Sequence, residues 1–255
     1  MFGRTKPVLL AMALVLSFLV MPVEAATATL TEDAELHPVN WATGTVKFKK
    51  DTQAVTNEYG EAVSGVLAKD TALRPAGWQR VMFDYTMENG YTSVASSSSS
   101  GGYSYGGGSY RYAVPGEKLL HFKGGQTVTF NAQGEVVAGT LDKPAHIRLV
   151  DDKQGFVSYR EDTALSFHAN GVVAAGTLHA DTWLRPAGWQ EILAANGGAG
   201  FLKFKKGTAI SFTESGLVTA GTLAAEAKLK AEGQYVKIYP AGTAVKFTAK
   251  GELAP

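Results

Sequence analysis

Ten apolar residues recur at nearly fixed spacing along this chain, and that period constrains the fold more than any other feature. They are Leu30, Phe48, Leu67, Phe122, Leu141, Tyr159, Leu178, Phe204, Leu223 and Tyr239, and most of the intervals between them are close to one common length. Leu and aromatic anchors alternate, so two forms of a motif of about 18 residues pair into a unit of about 37. Self-similarity at a fixed period marks an array in which each small unit buries its apolar face against its neighbours rather than in one globular core.

The form that starts at an aromatic anchor reads as a hairpin. Gly60, Gly134, Gly171, Gly216 and Gly251 each follow their anchor at the same interval. Before the Gly, Ile210 and Phe212 flank Ser211, as Val128 and Phe130 flank Thr129 and Val245 and Phe247 flank Lys246. This is the period-two alternation of strands. The polar segments Asn131-Ala132-Gln133-Gly134 and His168-Ala169-Asn170-Gly171 are then hairpin turns, with Gly supplying a positive φ. A return strand runs through Val136-Val137 or Val172-Val173 into Gly-Thr-Leu. Gly139, Gly176 and Gly221 fall inside it, where Gly marks a bulge or the close approach of another backbone.

The form that starts at Leu carries Asp33, Asp70 or Asp181 at a turn position. Such an Asp accepts hydrogen bonds from backbone amides two residues on, and the Thr that usually follows suits re-entry into a strand. No stretch after the N-terminal segment sustains helical apolar spacing, and Gly recurs too often for helices. The expectation is an all-β fold of five units of about 37 residues, stacked β-hairpins forming a solenoid or an extended twisted sheet.

Residues 1–25 read as a secretory signal peptide: Arg4 and Lys6, the apolar run from Val8 to Val20, then Val23-Glu24-Ala25 with cleavage after Ala25. That run is shorter than the roughly 20 residues that span a bilayer, and no other stretch spans. Removing Arg4, Lys6 and Glu24 from 24 basic and 23 acidic residues leaves 22 of each. A neutral chain offers no electrostatic case for nucleic acid or for an anionic membrane surface. Cys is absent, which removes disulfides, thiolate metal sites and a lipid-modified Cys after the leader. The expected location is the periplasm, the cell envelope or the extracellular medium, with residues 26–255 as one β-repeat domain.

The segment Phe167-His168-Ala169-Asn170-Gly171-Val172-Val173 resembles the bacterial variant of the MORN repeat, with its aromatic, Asn-Gly-type turn and hydrophobic return strand. The resemblance implies a scaffold or interaction role. The same hairpin is similar to the choline- and glucan-binding cell-wall repeat, whose clustered aromatics build ligand cages. Here the corresponding anchors Phe122, Tyr159 and Phe204 stand singly, a departure from that pattern.

Two irregularities of the array draw attention as functional features. Leu73-Arg74-Pro75-Ala76-Gly77-Trp78-Gln79 recurs unchanged from Leu184 to Gln190, and Leu36-His37-Pro38-Val39-Asn40-Trp41 keeps the Pro and the Trp. Pro removes an amide donor and ends the strand, which puts Trp41, Arg74, Trp78, Arg185 and Trp189 in connections on one edge of the array. A row of Trp with Arg can stack on sugar rings or grip a protein partner; alternatively each Trp covers the end of its own hairpin. The equivalent copies at Ile147 and Leu229 lack Trp. Residues 80–118 interrupt the period with a Ser/Gly-rich insertion holding six of the ten Tyr residues, expected to be flexible and either adhesive or incidental.

Signatures of catalysis are weak. Gly102-Tyr103-Ser104-Tyr105-Gly106 matches the nucleophile-elbow pattern, but poly-Ser and Gly-rich sequence flank it instead of a strand and a helix. His37, His121, His146, His168 and His179 lack metal-ligand spacing and read as surface or turn positions. No cofactor or metal is implied. The expectation is an exported, non-catalytic interaction module for protein or glycan surfaces, with a structural spacer as the alternative and a hydrolase as a distant third. Open terminal strands also leave self-association as an expected mode of contact.

Overall fold

The computed structural model describes residues 26–78, 119–149, 156–192, 200–231 and 234–254. The expected leader and the Tyr-rich insertion lie outside the described residues. Within them the chain alternates between a long sheet and short ladders, two strands at a time. The sheet strands are β1 (Ala26–Thr29), β4 (Gln53–Thr56), β5 (Ala62–Val66), β8 (Thr127–Phe130), β9 (Val136–Thr140), β12 (Ala164–Phe167), β13 (Val173–Thr177), β16 (Ala209–Phe212), β17 (Val218–Thr222) and β20 (Ala244–Lys246). They lie in that order, every neighbouring pair antiparallel, in one ten-stranded sheet with no closure.

Between successive sheet hairpins the chain leaves to form a two-stranded antiparallel ladder and returns. The ladders pair β2 (Ala34–Leu36) with β3 (Val46–Phe48), β6 (Thr71–Leu73) with β7 (Leu120–Phe122), and β10 (Ala145–Arg148) with β11 (Phe156–Tyr159). The series continues with β14 (Thr182–Leu184) on β15 (Leu202–Phe204), and β18 (Ala227–Lys230) on β19 (Val236–Tyr239). The one helix among the described residues is the single turn α1 (Trp189–Ile192). The fold is all-β, stacked hairpins in an extended array, as the period predicts.

The anchors sit where ladder and sheet meet. Isolated bridges join Phe48 to Leu67, Phe122 to Leu141, Tyr159 to Leu178 and Phe204 to Leu223, so each aromatic pairs with the next Leu anchor along the chain. All eight are at most 1 % exposed and belong to one continuous apolar cluster running the length of the stack. Burying a side chain of this size contributes about 2–3 kcal/mol before entropy is counted. The core therefore comes from neighbouring units, not from the middle of any one.

Each sheet hairpin closes by the same turn. In the second unit Asn131 N donates to Glu135 O and Gly134 N to Asn131 O, with Gly134 at φ +72. The Asn131 side-chain oxygen accepts from the amides of Gln133 and Glu135, which fixes the loop locally. A β-bulge recurs just before the turn, between Thr129 and Phe130 and at the matching place in the other hairpins.

Two local readings of the sequence need correction. The Gly inside each return strand is not the bulge and admits no second backbone. A Cβ added at Gly65, Gly139, Gly176 or Gly221 would lie 2.6–2.7 Å from Cδ1 of Phe48, Phe122, Tyr159 or Phe204. The strand lacks a side chain there because the anchor ring lies against its backbone. The recurring Asp does not cap its own turn either. Asp33, Asp70 and Asp181 accept the amides of Lys50, Gly124 and Lys206, each in the tight turn after the partner strand of the ladder. The carboxylate thus ties the two strands of a ladder together at one end, satisfying a turn amide that the strand pairing leaves free.

Candidate functional site

The edge that carries the Pro-Trp segments is built from three parts per unit. The first is the connection leaving the outgoing ladder strand. Pro38, Pro75 and Pro186 form parallel bridges with Ala62, Val136 and Val218 at the start of a sheet return strand. Flanking residues make the hydrogen bonds: Val136 N donates to Arg74 O, and Ala76 N to Val136 O, both at 2.8 Å. Pro ends the ladder, as expected, but the connection stays paired, because at this register the ring nitrogen is not called on to donate. Ala231 bridges Leu253 in the same way without Pro.

The second part is a tight turn. Trp41, Trp78 and Trp189 each donate their amide to the carbonyl of Pro38, Pro75 or Pro186 at 3.1 Å. The residue before each Trp has positive φ: Asn40 at 59°, Gly77 at 70° and Gly188 at 65°. This is the arrangement of a type II turn, which needs Gly or Asn at that position. Gly77 serves a second purpose, since a Cβ there would lie 2.5 Å from Gly171 Cα; Gly188 meets Gly251 in the same manner. Each connection therefore packs backbone to backbone on the hairpin turn of another unit, the third part of the edge.

The Trp side chains are drawn into this packing. Trp41 lies over Gly134 and donates its indole N–H to Gly134 O at 2.8 Å. Arg74 stacks on Trp78 at 4.5 Å from the ring centroid, and Arg185 on Trp189 at 4.1 Å with Phe201 at 4.5 Å on the same guanidinium. All three indoles are half-buried. Trp41 covers a turn, but that of another unit rather than of its own hairpin, and Arg74 and Arg185 are held on the indoles beside them.

Trp41, Arg74 and Trp78 nevertheless come together. They line a cleft of about 510 Å³ with Leu119, Gln133 and Glu135. Glu135 Oε2 accepts the Gly77 amide at 3.2 Å and the Asn131 side-chain amide at 3.0 Å, so this carboxylate is engaged in holding the edge together. Arg185 and Trp189 do not line that cleft. The corresponding hollow at the far end of the stack, about 750 Å³, is lined by Lys228, Lys230, Val236 and Glu252 among others, with Lys230 paired to Glu252 at 2.6 Å. Among the described residues the larger hollow has no aromatic lining; the smaller has two indoles and a guanidinium, the better equipment for a specific contact.

Sequence reasoning misses several exposed or buried side chains. Trp183 is the most exposed indole described, at 56 %, on the outward face of β14 opposite Lys203. Alternation is the signal that finds it, since Leu184 is in the core and its neighbour must face out. Tyr59 projects from the first hairpin turn, and Tyr235, Val236 and Ile238 are exposed around β19. His146 is not a surface position: it is buried in β10, with Nδ1 2.7 Å from Ser158 Oγ on β11. His168 Nε2 is 2.9 Å from Phe212 O of the neighbouring hairpin.

No family model matches the chain, and no curated protein and no solved structure shows detectable similarity to it.

Proposed function

We propose that this chain is an exported, non-catalytic interaction module of the cell envelope or the extracellular medium, built on MORN-like hairpin repeats. Its contact site is the cleft at Trp41, Arg74 and Trp78, and its partner is a protein or glycan surface. The observation that carries the reading is the convergence of two indoles and a guanidinium, contributed by two connections one repeat unit apart, on one cleft. Aromatic rings held rigid by packing lose little entropy when they bind, and an Arg already stacked keeps its N–H edges available to sugar hydroxyls or a carboxylate. The only carboxylate in the described lining, Glu135, is occupied by a backbone amide and a side-chain amide, which favours binding over acid–base chemistry.

The structural-spacer reading draws on the same contacts. Trp41 is tied to Gly134 and Arg74 to Trp78, interactions that serve the stack with no ligand at all. Titration of the protein with cell-wall fragments and candidate glycans, followed by Trp fluorescence, separates the two. The module reading expects saturable binding that a Trp78→Ala, Arg74→Ala variant loses while a Trp183→Phe variant keeps it. If no fragment or glycan alters the emission, or if the double variant binds as the wild type does, the cleft is not the contact site.

A further inference from the structure

One face of the ten-stranded sheet forms the core: Val128, Leu165 and Ile210 are buried there with their counterparts on the other strands. The alternate residues point the other way, and they line up across the strands. One row runs through Thr129, Ala138, Ser166, Ala175, Ser211 and Ala220, each the register partner of the next. The row beside it sets Thr140 opposite Ala164, Thr177 opposite Ala209 and Thr222 opposite Ala244. All of these residues are half-buried or exposed. In the first row the hydroxyls sit on the outgoing strands and Ala on the return strands, and in the second the order is reversed. Hydroxyl and methyl therefore alternate in both directions over the face.

This face is also without charge. Lys246 in β20 is the one charged residue in all ten strands of the sheet. The short ladders differ: their solvent-facing positions carry Glu35, Lys47, His121, Lys203 and Lys228. The lack of charge thus belongs to the sheet face and not to the chain. Strand propensity does not account for it, because Ala is disfavoured in strands. Nor does solubility, because a solvated surface carries Lys, Arg, Glu and Asp with both signs interspersed. Small, uncharged side chains suit a sheet that another layer approaches closely.

The period of the face identifies the layer that fits it. Its relief repeats at every second strand, about 10 Å, so only a surface of the same period stays in step with it over several units. A second copy of this chain has that period. An isologous contact sets the same patch against itself, which a charged face resists by like-charge repulsion and this one does not. Each Ser or Thr hydroxyl is both donor and acceptor, so hydroxyls brought face to face bond to one another instead of being buried unpaired. Ten strands about 4.8 Å apart, carrying two rows about 7 Å apart, present about 600 Å² per copy. A pair buries about 1,200 Å², the lower end of the range for specific interfaces, which points to a dimer that dissociates on dilution.

We infer that the outward face of the ten-stranded sheet is a self-association surface, on which a second copy of this chain packs face to face as a two-fold dimer. What the Trp-lined cleft binds has no bearing on it. Sedimentation velocity on the purified protein between about 1 and 100 µM shows monomer passing to dimer and to nothing larger. Ala175→Arg adds a charge at a half-buried position of the monomer and sets two charges into the pair. It keeps the native circular dichroism and weakens the dimer at least about tenfold. A wild type that stays monomeric throughout, or a folded variant that associates as the wild type does, overturns the inference. The chain has no Cys, so a single introduced thiol reports which face is covered even if Ala175→Arg does not fold. The thiol of Ser166→Cys reacts with a soluble thiol reagent at a rate that falls at least about fivefold from the dilute to the concentrated protein. That of Trp183→Cys, on the outward face of β14, reacts at an unchanged rate. Equal behaviour of the two thiols refutes the assignment of the sheet face.

Discussion

The most direct test of how the core is assembled is Tyr159→Phe. Tyr159 is the anchor of the third unit, fully buried, with its ring against the backbone of Gly176. Its hydroxyl is buried with no hydrogen-bond partner among the described residues, and burial holds its ionisation well above the ordinary value of 10.0. The matching anchors of the first, second and fourth units are Phe48, Phe122 and Phe204, so the site accepts Phe without rearrangement. Leaving a buried polar group unpaired costs about 1–3 kcal/mol. Removing one oxygen leaves a void of about 10–15 Å³, which takes back about 0.3 kcal/mol. The variant is therefore more stable by about 1 kcal/mol at neutral pH, raising Tm by about 2–4 °C in a domain of this size.

The pH dependence sharpens this test. Below the unfolded pKa near 10 the tyrosine is protonated in both states and contributes no slope. Above it, the unfolded chain releases the proton while the folded chain keeps it, so wild-type stability falls as pH rises. At pH 11 this adds about 1.4 kcal/mol to the advantage of Tyr159→Phe. The other tyrosines cancel in the difference. Urea unfolding of both proteins at pH 7, 9 and 11 measures it. A variant less stable than wild type at pH 7, or a difference that does not widen between pH 9 and 11, means that the hydroxyl is satisfied and the packing argument is wrong.

Gly176→Ala puts a methyl 2.6 Å from Tyr159 Cδ1 and 2.9 Å from Leu165 Cδ1, and thermal unfolding should show a loss of about 3 kcal/mol. Gly60→Ala, at φ +75 with open space around it, carries only the left-handed backbone penalty of about 1–2 kcal/mol, so the two glycines should differ in the same assay. Trp41→Phe removes the hydrogen bond to Gly134 O; chemical denaturation should report about 1 kcal/mol lost, with no change at the distant Trp189 stack. The Lys50 amide, then Lys47, holds the Asp33 carboxyl below its ordinary 3.8, so its contribution is present above that value and lost as pH falls through the folded pKa. Asp33→Asn should therefore flatten the acid limb of the stability profile below about pH 4, as read by urea unfolding over the acid range.

What is legible in the sequence is local, and what is not is contact between layers. The anchors, the alternating strands and the hairpin Gly are properties of segments shorter than one unit; eight of the ten anchors are bridged in the core, and all five hairpin Gly have the positive φ their turns require. Gly139 stands out in its strand, but its partner is the ring of Phe122, nearly a full motif earlier in the chain and in the other layer. Asp70 reads as a local cap, yet it serves Gly124, 54 residues on, because the ladder brings two turns side by side. Trp41 donates to Gly134 across 93 residues, a distance set by an insertion that interrupts the period without displacing the units on either side.

The same distinction explains the candidate site. Repetition of Arg-Pro-Ala-Gly-Trp signals a common backbone geometry, and the three turns do share it. It cannot signal that Trp41 and Trp78 face one cleft while Trp189 faces Phe201 through Arg185, because that depends on what each neighbouring unit supplies. A residue repeated in every unit is explained by the stack, and a residue that breaks the repeat is free to answer to something else. Lys237 shows how far that reasoning reaches. As one exposed lysine it would pass as ordinary, and only its register opposite Leu229, where four other units place Val or Leu, marks it as a break in the repeat.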